Sequence, residues 1–169
     1  HAFVALRDNA SQGIQPVPAK IGNGDDLVDN LYWGCDEAIV PCLTRSKDWK
    51  KVSLGKPVGQ EIILMRAIYR HAATGGILVA DAYRGKEIKT ALNDYFAALA
   101  GKLAVEIEVA GKKVAAGGQA GMVAYVGHDG LMEFRVEPPG RDPASPSPKA
   151  WRCRAATCRA RGRYKSRQA

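Results

Sequence analysis

The hydrophobic pattern changes period along the chain, and each change marks an element. Met122 to Val126 is an uninterrupted apolar run that leads into Gly127-His128-Asp129-Gly130. Runs of this kind belong to strands covered on both faces, as in a parallel sheet flanked by helices. Ala2 to Leu6 is a second such run, opening at Arg7-Asp8-Asn9 into a loop, and Ile77 to Ala80 is a third, ending at Asp81. Between them the period lengthens. Ile88, Leu92, Tyr95, Phe96 and Leu99 form one apolar stripe at helical spacing, and Gly101 follows where a helix would end. Leu103, Val105, Ile107 and Val109 then alternate with small or acidic residues, predicting a half-exposed strand that turns at Gly111.

The remaining segments read less sharply. Ser11 to Asn30, with Pro16, Pro18 and the Asn23-Gly24-Asp25-Asp26 cluster, is predicted to be a long functional or mobile loop. A short helix is expected to start near Asp36, limited by Pro41, with Trp33 and Trp49 as packing residues. Glu61 to Tyr69 fits either a strand or a short helix, and Gly75-Gly76 separates it from the Ile77 strand. Strand, helix and strand at these separations predict an α/β domain over residues 1–137, with a mainly parallel sheet flanked by helices. From Pro138 to Pro148 the chain has five prolines, and from Lys149 onward it is rich in Arg and Ala without large aliphatic residues. Residues 138–169 are accordingly expected to be a disordered tail. Their composition resembles the out-of-frame reading of a GC-rich gene.

Charge alters this picture in one respect. The chain of 169 residues carries a formal charge of +8, yet Lys/Arg and Asp/Glu are equal in number from His1 to Glu137, so the excess belongs to the tail. A specific nucleic-acid surface on the folded body is therefore not expected, because such a surface needs its cations on the domain. No stretch approaches the roughly 20 apolar residues of a membrane span. A start at His1 fits either removal of a signal peptide, with a periplasmic or secreted destination, or another kind of boundary. Cys35, Cys42, Cys153 and Cys158 match neither a disulfide scaffold nor a zinc site. Cys35 and Cys42 fit a pair in an oxidising compartment, or Cys35 a small buried residue beside Trp33.

The candidate chemistry lies where strands end. Asp8, Asp81 and His128-Asp129 each close a predicted strand, and parallel strands bring such ends to one edge, where open α/β sheets bind ligands. His128 reads as a base and Asp81 as the carboxylate that orients its ring. The alternative for Asp81 is a helix cap or a partner for Arg84. Arg84, before the helix, and Asp8, Asp129 and Gly130 complete the expected binding edge. Asp8, Asp81, His128 and Asp129 also fit a metal-dependent hydrolase, but no cofactor is predicted. Asp25, Asp26 and Asp29 lack the calcium-loop pattern and read as solvated turn residues.

The strings Phe3-Val-Ala-Leu, Asn30-Leu-Tyr-Trp-Gly34, Leu78-Val-Ala-Asp-Ala-Tyr-Arg-Gly85 and Val123-Ala-Tyr-Val-Gly-His-Asp-Gly-Leu-Met132 resemble an uncharacterised family of bacterial, often exported, proteins. More distantly, an apolar strand leading into a His followed closely by Gly is similar to the caspase-like cysteine peptidases, the group of gingipains and legumains. That resemblance implies a caspase-like topology with His128 as the histidine and Gly130 near the oxyanion side. It also implies a cysteine on the next strand, whose thiolate attacks a peptide carbonyl. Where that strand is due, the chain has its proline stretch and Trp151-Arg-Cys-Arg, so the domain is expected to be incomplete at its C-terminus and inactive. The alternative is a non-catalytic exported binding module for a peptide or protein partner, using the strand-end edge and the 11–30 loop.

Overall fold

A computed structural model describes residues 1–13, 15–136, 140 and 149–152. The architecture is mixed α/β. The strands of the main sheet are β1 (Ala2–Ala5), β2 (Trp49–Gly55), β3 (Ile63–His71), β4 (Ile77–Tyr83), β7 (Met122–Val126) and the short β8 (Lys149–Arg152). Their spatial order is β2-β3-β4-β1-β7-β8. β1 pairs in parallel with β4 and with β7, so Phe3 stands between Asp81 and Tyr125. β8 runs parallel to β7, whereas β3 is antiparallel to both β4 and β2. The sheet is therefore mixed, where the sequence predicted a mainly parallel one. The Gly75-Gly76 connection is too short for a parallel crossover and folds β3 back on β4.

Helices and loops cover the two faces differently. On one face α2 (Ile88–Leu99) lays Ile88, Ala91, Leu92, Tyr95 and Ala98 over Phe3, Ala5, Tyr83 and Val123. Beside it the hairpin of β5 (Ala104–Val109) and β6 (Lys112–Gly117) packs Ile107, Val109 and Ala116 onto Ile68 and Val79. On the other face Val4, Leu6, Ala67, Tyr69, Ala80 and Ala82 meet Trp33, with Trp49 and residues of α1 (Ile39–Arg45) packed around them. Both tryptophans thus serve as packing residues. α1 begins three residues later than predicted and keeps Pro41 inside its first turn, where the missing N–H removes no helical bond.

β2 and β6 are not announced by the sequence pattern. β2 is a largely exposed edge strand carrying Lys50 and Lys51, and its register shifts between Lys51 and Ser53, which breaks the period of two. β6 is built from Lys, Ala and Gly with Val114 as its one large apolar residue, and it pairs with β5. Lys149–Arg152, assigned above to the tail, form β8 against β7. The expectations for Cys153, Cys158 and the rest of the tail lie outside the described residues. No helix among the described residues is long and apolar enough to cross a membrane.

At the carboxyl ends of β1 and β4 the backbone approaches itself closely. A Cβ on Gly85 would stand 2.4 Å from the Asp8 Cβ, 2.7 Å from the Gly24 Cα and 2.9 Å from the Leu6 carbonyl oxygen. Gly85→Ala must push apart the segments that form the sheet's upper edge. The expected destabilisation is about 3 kcal/mol in urea unfolding, and an unchanged midpoint would show that the contact yields freely.

Candidate functional site

The carboxyl ends of β1, β4 and β7 lie side by side, as the strand-end argument requires, and the loops that leave them form one rim. Two buried amides fasten it. Gln12 Nε2 donates to the Leu6 carbonyl at 2.7 Å and to the Gly85 carbonyl at 2.5 Å, joining the exits of β1 and β4. Asn30 Oδ1 accepts from the N–H groups of Arg7 and Tyr32, both at 3.1 Å, and its Nδ2 donates to the Arg7 and Asn23 carbonyls, both at 2.8 Å. These bonds satisfy backbone groups that a turn-rich loop would otherwise leave open. The long loop is thereby ordered.

His128 stands on this rim directly after β7. Its loop is anchored by the Tyr125 hydroxyl, which donates to the His128 carbonyl at 2.9 Å. Nε2 of His128 lies 2.8 Å from Glu133 Oε1, with both side chains partly buried. A carboxylate on Nε2 holds the proton there and leaves Nδ1 as the acceptor, the arrangement of a base and its orienting group. Glu133 was not singled out from the sequence. The short turn Gly130–Met132, capped when Asp129 Oδ1 accepts from the Leu131 N–H, brings it back to the imidazole.

Asp81, the expected orienter, is elsewhere. β4 continues past it to Tyr83, and the carboxylate lies inside the sheet's helix-covered face at 1% exposure. Arg66, directly opposite on β3, meets it through Nε to Oδ1 at 2.6 Å and Nη2 to Oδ2 at 2.7 Å. His1 Nε2 is 3.0 Å from Oδ2, while His1 Nδ1 accepts from the Gly117 N–H at 3.1 Å. That second bond fixes the neutral Nε2–H form of His1. Burial pushes the Asp81 carboxyl above the ordinary carboxylate range, and the Arg66 fork opposes the shift. Asp81 thus orients His1, not His128. The pairing of Asp81 with His128 predicted from sequence is corrected: a strand end was inferred because a buried carboxylate is costly, but Arg66 supplies its partner.

The other candidates are placed at the rim but engaged locally. Asp8 Oδ1 accepts from the Ala10 N–H at 3.1 Å and its Oδ2 from the Ser11 hydroxyl at 2.5 Å. Arg84 Nη1 lies 2.6 Å from Asp25 Oδ1, tying β4 to the long loop. Gly130 is buried, and a Cβ there would stand 2.5 Å from Phe134 Cζ. Asp26 Oδ1 accepts from the Val28 and Asp29 N–H groups, and Asp29 faces Lys20 at 3.4 Å. Among the described residues no group of three His, Cys, Asp or Glu side chains could hold a metal ion. Asp8, Asp81, His128 and Asp129, grouped above as a metal-dependent site, are not brought together, because Asp81 is interior.

A cavity of about 630 Å³ opens at the opposite, amino end of the parallel strands, between His1, Ala2, Met122 and the hairpin residues Val114 and Ala116. Its lining is mainly apolar and His1 has both ring nitrogens occupied, so the cavity offers little chemistry. Cys35 donates its thiol to the Leu31 carbonyl at 3.2 Å, and Cys42 is exposed on α1. Comparison with protein-family models, with curated proteins and with solved structures returns no match. The site is read from its own geometry.

Two outcomes follow. Arg66→Met leaves the Asp81 carboxylate buried without its fork, at an expected cost of about 3–5 kcal/mol at neutral pH. Asp81 titrates above its unfolded value, so the buried carboxylate costs stability only as pH rises through that raised value. The deficit of Arg66→Met, measured by urea unfolding, should therefore shrink on acidification, and Arg66→Met/Asp81→Leu should recover most of it. A deficit that grows in acid would contradict the burial argument. Separately, nitrogen-15 spectra of the His128 ring should show the Nε2–H tautomer, becoming mixed in Glu133→Gln. A dominant Nδ1–H form in the unaltered chain would refute the orienting role of Glu133.

Proposed function

We propose that this chain is a caspase-like, cysteine-peptidase-type domain that keeps the histidine half of the dyad and turns over no substrate of its own. The observation that carries the reading is the His128–Glu133 pair on the loop that leaves β7, with Nδ1 left as an acceptor. In such chemistry the imidazole takes a proton from a thiol, the thiolate attacks a peptide carbonyl, and the imidazolium returns the proton to the leaving amine. The strand order β4-β1-β7-β8, all parallel, supports the reading, because the strand beside the histidine strand is where the nucleophile is due. Cys153 follows Arg152 in the chain and is flanked by Arg154. Among the described residues no thiol faces His128, and a base without a positioned nucleophile gives little rate. What remains is recognition of an extended peptide at the rim.

The alternative, a binding module built on the strand ends and the 11–30 loop, draws support from the Gln12 and Asn30 bonds that hold that loop to the rim. Fluorescence anisotropy with a labelled peptide library, together with a peptidyl acyloxymethyl ketone that labels catalytic thiols, separates the readings. The expected result is peptide binding weakened about tenfold in His128→Ala, equivalent to ~1.4 kcal/mol, with no hydrolysis. Binding indifferent to His128 would favour the module. Labelling of Cys153 or Cys158 that disappears in His128→Ala would show an active peptidase and overturn the claim of no turnover. Failure to bind any peptide would remove the peptidase-type reading.

A further inference from the structure

The guanidinium of Arg7 is nearly sealed from solvent, at 4% exposure, and none of the ion pairs among the described residues includes it. Its Nη2 donates to the Gln15 carbonyl at 2.6 Å, but its Nε is buried without a hydrogen-bond partner among the described residues. Arg66 makes the contrast plain, since its fork is met by two carboxylate oxygens. A buried cation facing one neutral carbonyl is an unbalanced charge, which protein interiors tolerate poorly. Among the described residues the side chain ties the loop through Gln15 alone. The N–H and carbonyl of Arg7 are already bound by Asn30.

Arg7 follows β1 on the rim described above. A Cβ on Gly13 would stand 3.2 Å from Arg7 Nη1 and 3.1 Å from His128 Nε2, so the guanidinium and the imidazole close in on a residue that has no room for a side chain. The Tyr32 phenol, pushed up by burial, is pulled back down by the charge of Arg7 and so lies within its field. We propose that Arg7, at the exit of β1 beside Gly13, binds a compact anionic group, a carboxylate or a phosphate. A planar guanidinium with an Nε–H unpaired among the described residues suits either, because both present paired oxygens to its edge. The inference stands on the missing counter-charge of Arg7 and holds whether or not the peptidase-type reading does.

The test is calorimetric and thermal-shift titration of the full chain with inorganic phosphate, with acetate, and with a terminally blocked peptide carrying one Glu or, as control, one Gln. At least one anion should bind and raise the Tm, with affinity at least tenfold weaker in Arg7→Met and partly kept in Arg7→Lys. Without anion, Arg7→Met should have an unchanged or higher Tm, since an unpaired buried charge has been removed. Should Arg7→Met fail to fold, Arg7→Lys carries the comparison, because it keeps the charge and loses the fork. Preference for the Glu peptide over the Gln peptide identifies a peptide carboxylate as the ligand, and binding of phosphate or acetate alone identifies a free anion. No binding in any arm, or equal affinity in all three proteins, overturns the proposal. So does a lower Tm in Arg7→Met with no anion effect on the unaltered chain, which would make Arg7 purely structural. Peptide binding through His128 is read separately, in His128→Ala, so failure of one reading does not mimic failure of the other.

Discussion

β1 hydrogen-bonds in parallel to β4 along one edge and to β7 along the other, and its four residues are buried on both faces. A strand so enclosed has no edge at which to slip, and a shift of one residue would turn Phe3 and Ala5 away from α2. The register then decides what reaches the upper edge. Leu6 and Arg7, Arg84 and Gly85, and Gly127 and His128 emerge together because their strands start together and point the same way. The loops that follow inherit that placement, and the Gln12 and Asn30 amides lock it by pairing the backbone groups that the strands no longer serve.

Charge is distributed on two levels of this sheet. Within the helix-covered face, Asp81, Arg66 and His1 form a closed set in which each group has a partner and His1 is held neutral. A set of this kind fixes the pairing of β3, β4 and β1, because no other register places Arg66 opposite Asp81. Its carboxylate and both ring nitrogens of His1 are engaged, which suits a structural role. At the rim the bonding is incomplete. His128 has one nitrogen engaged by Glu133, and Arg7 is buried with an unused donor. Unbalanced groups clustered at strand ends are what a ligand site offers before its ligand arrives.

Much of this fold was legible in the sequence because its central strands are apolar on both faces and its main helix carries one clear stripe. β1, β4, β7 and α2 follow directly from those patterns; of the strand-end residues expected on one edge, Asp8 and His128-Asp129 follow β1 and β7, while Asp81 is interior. The antiparallel return of β3 is set by the short Gly75-Gly76 connection, whereas β2 is an exposed edge strand with an irregular register and β6 has Val114 as its one large apolar residue, so neither carries a clean alternation. Asp81 misled for a physical reason: a carboxylate reads as a strand end unless its arginine is recognised, and Arg66 lies within an otherwise apolar segment fifteen residues earlier. Glu133, Gln12, Asn30 and the lack of a counter-charge at Arg7 leave no periodic trace. They become visible only when loops close on one another.

The functional account therefore rests on a geometric premise, the parallel placement of three strands that sets His128 beside the exit of β1. Nuclear Overhauser contacts between backbone protons of Val4 and those of Ala82 and Val126 measure it directly. The structure predicts contacts from α-protons to amide protons on both sides of β1, in the parallel pattern and with Val4 level with both residues. Close α-proton to α-proton contacts between β1 and either neighbour would mean an antiparallel pairing and would contradict the account; between β1 and β7 they would also move His128 to the other end of β1.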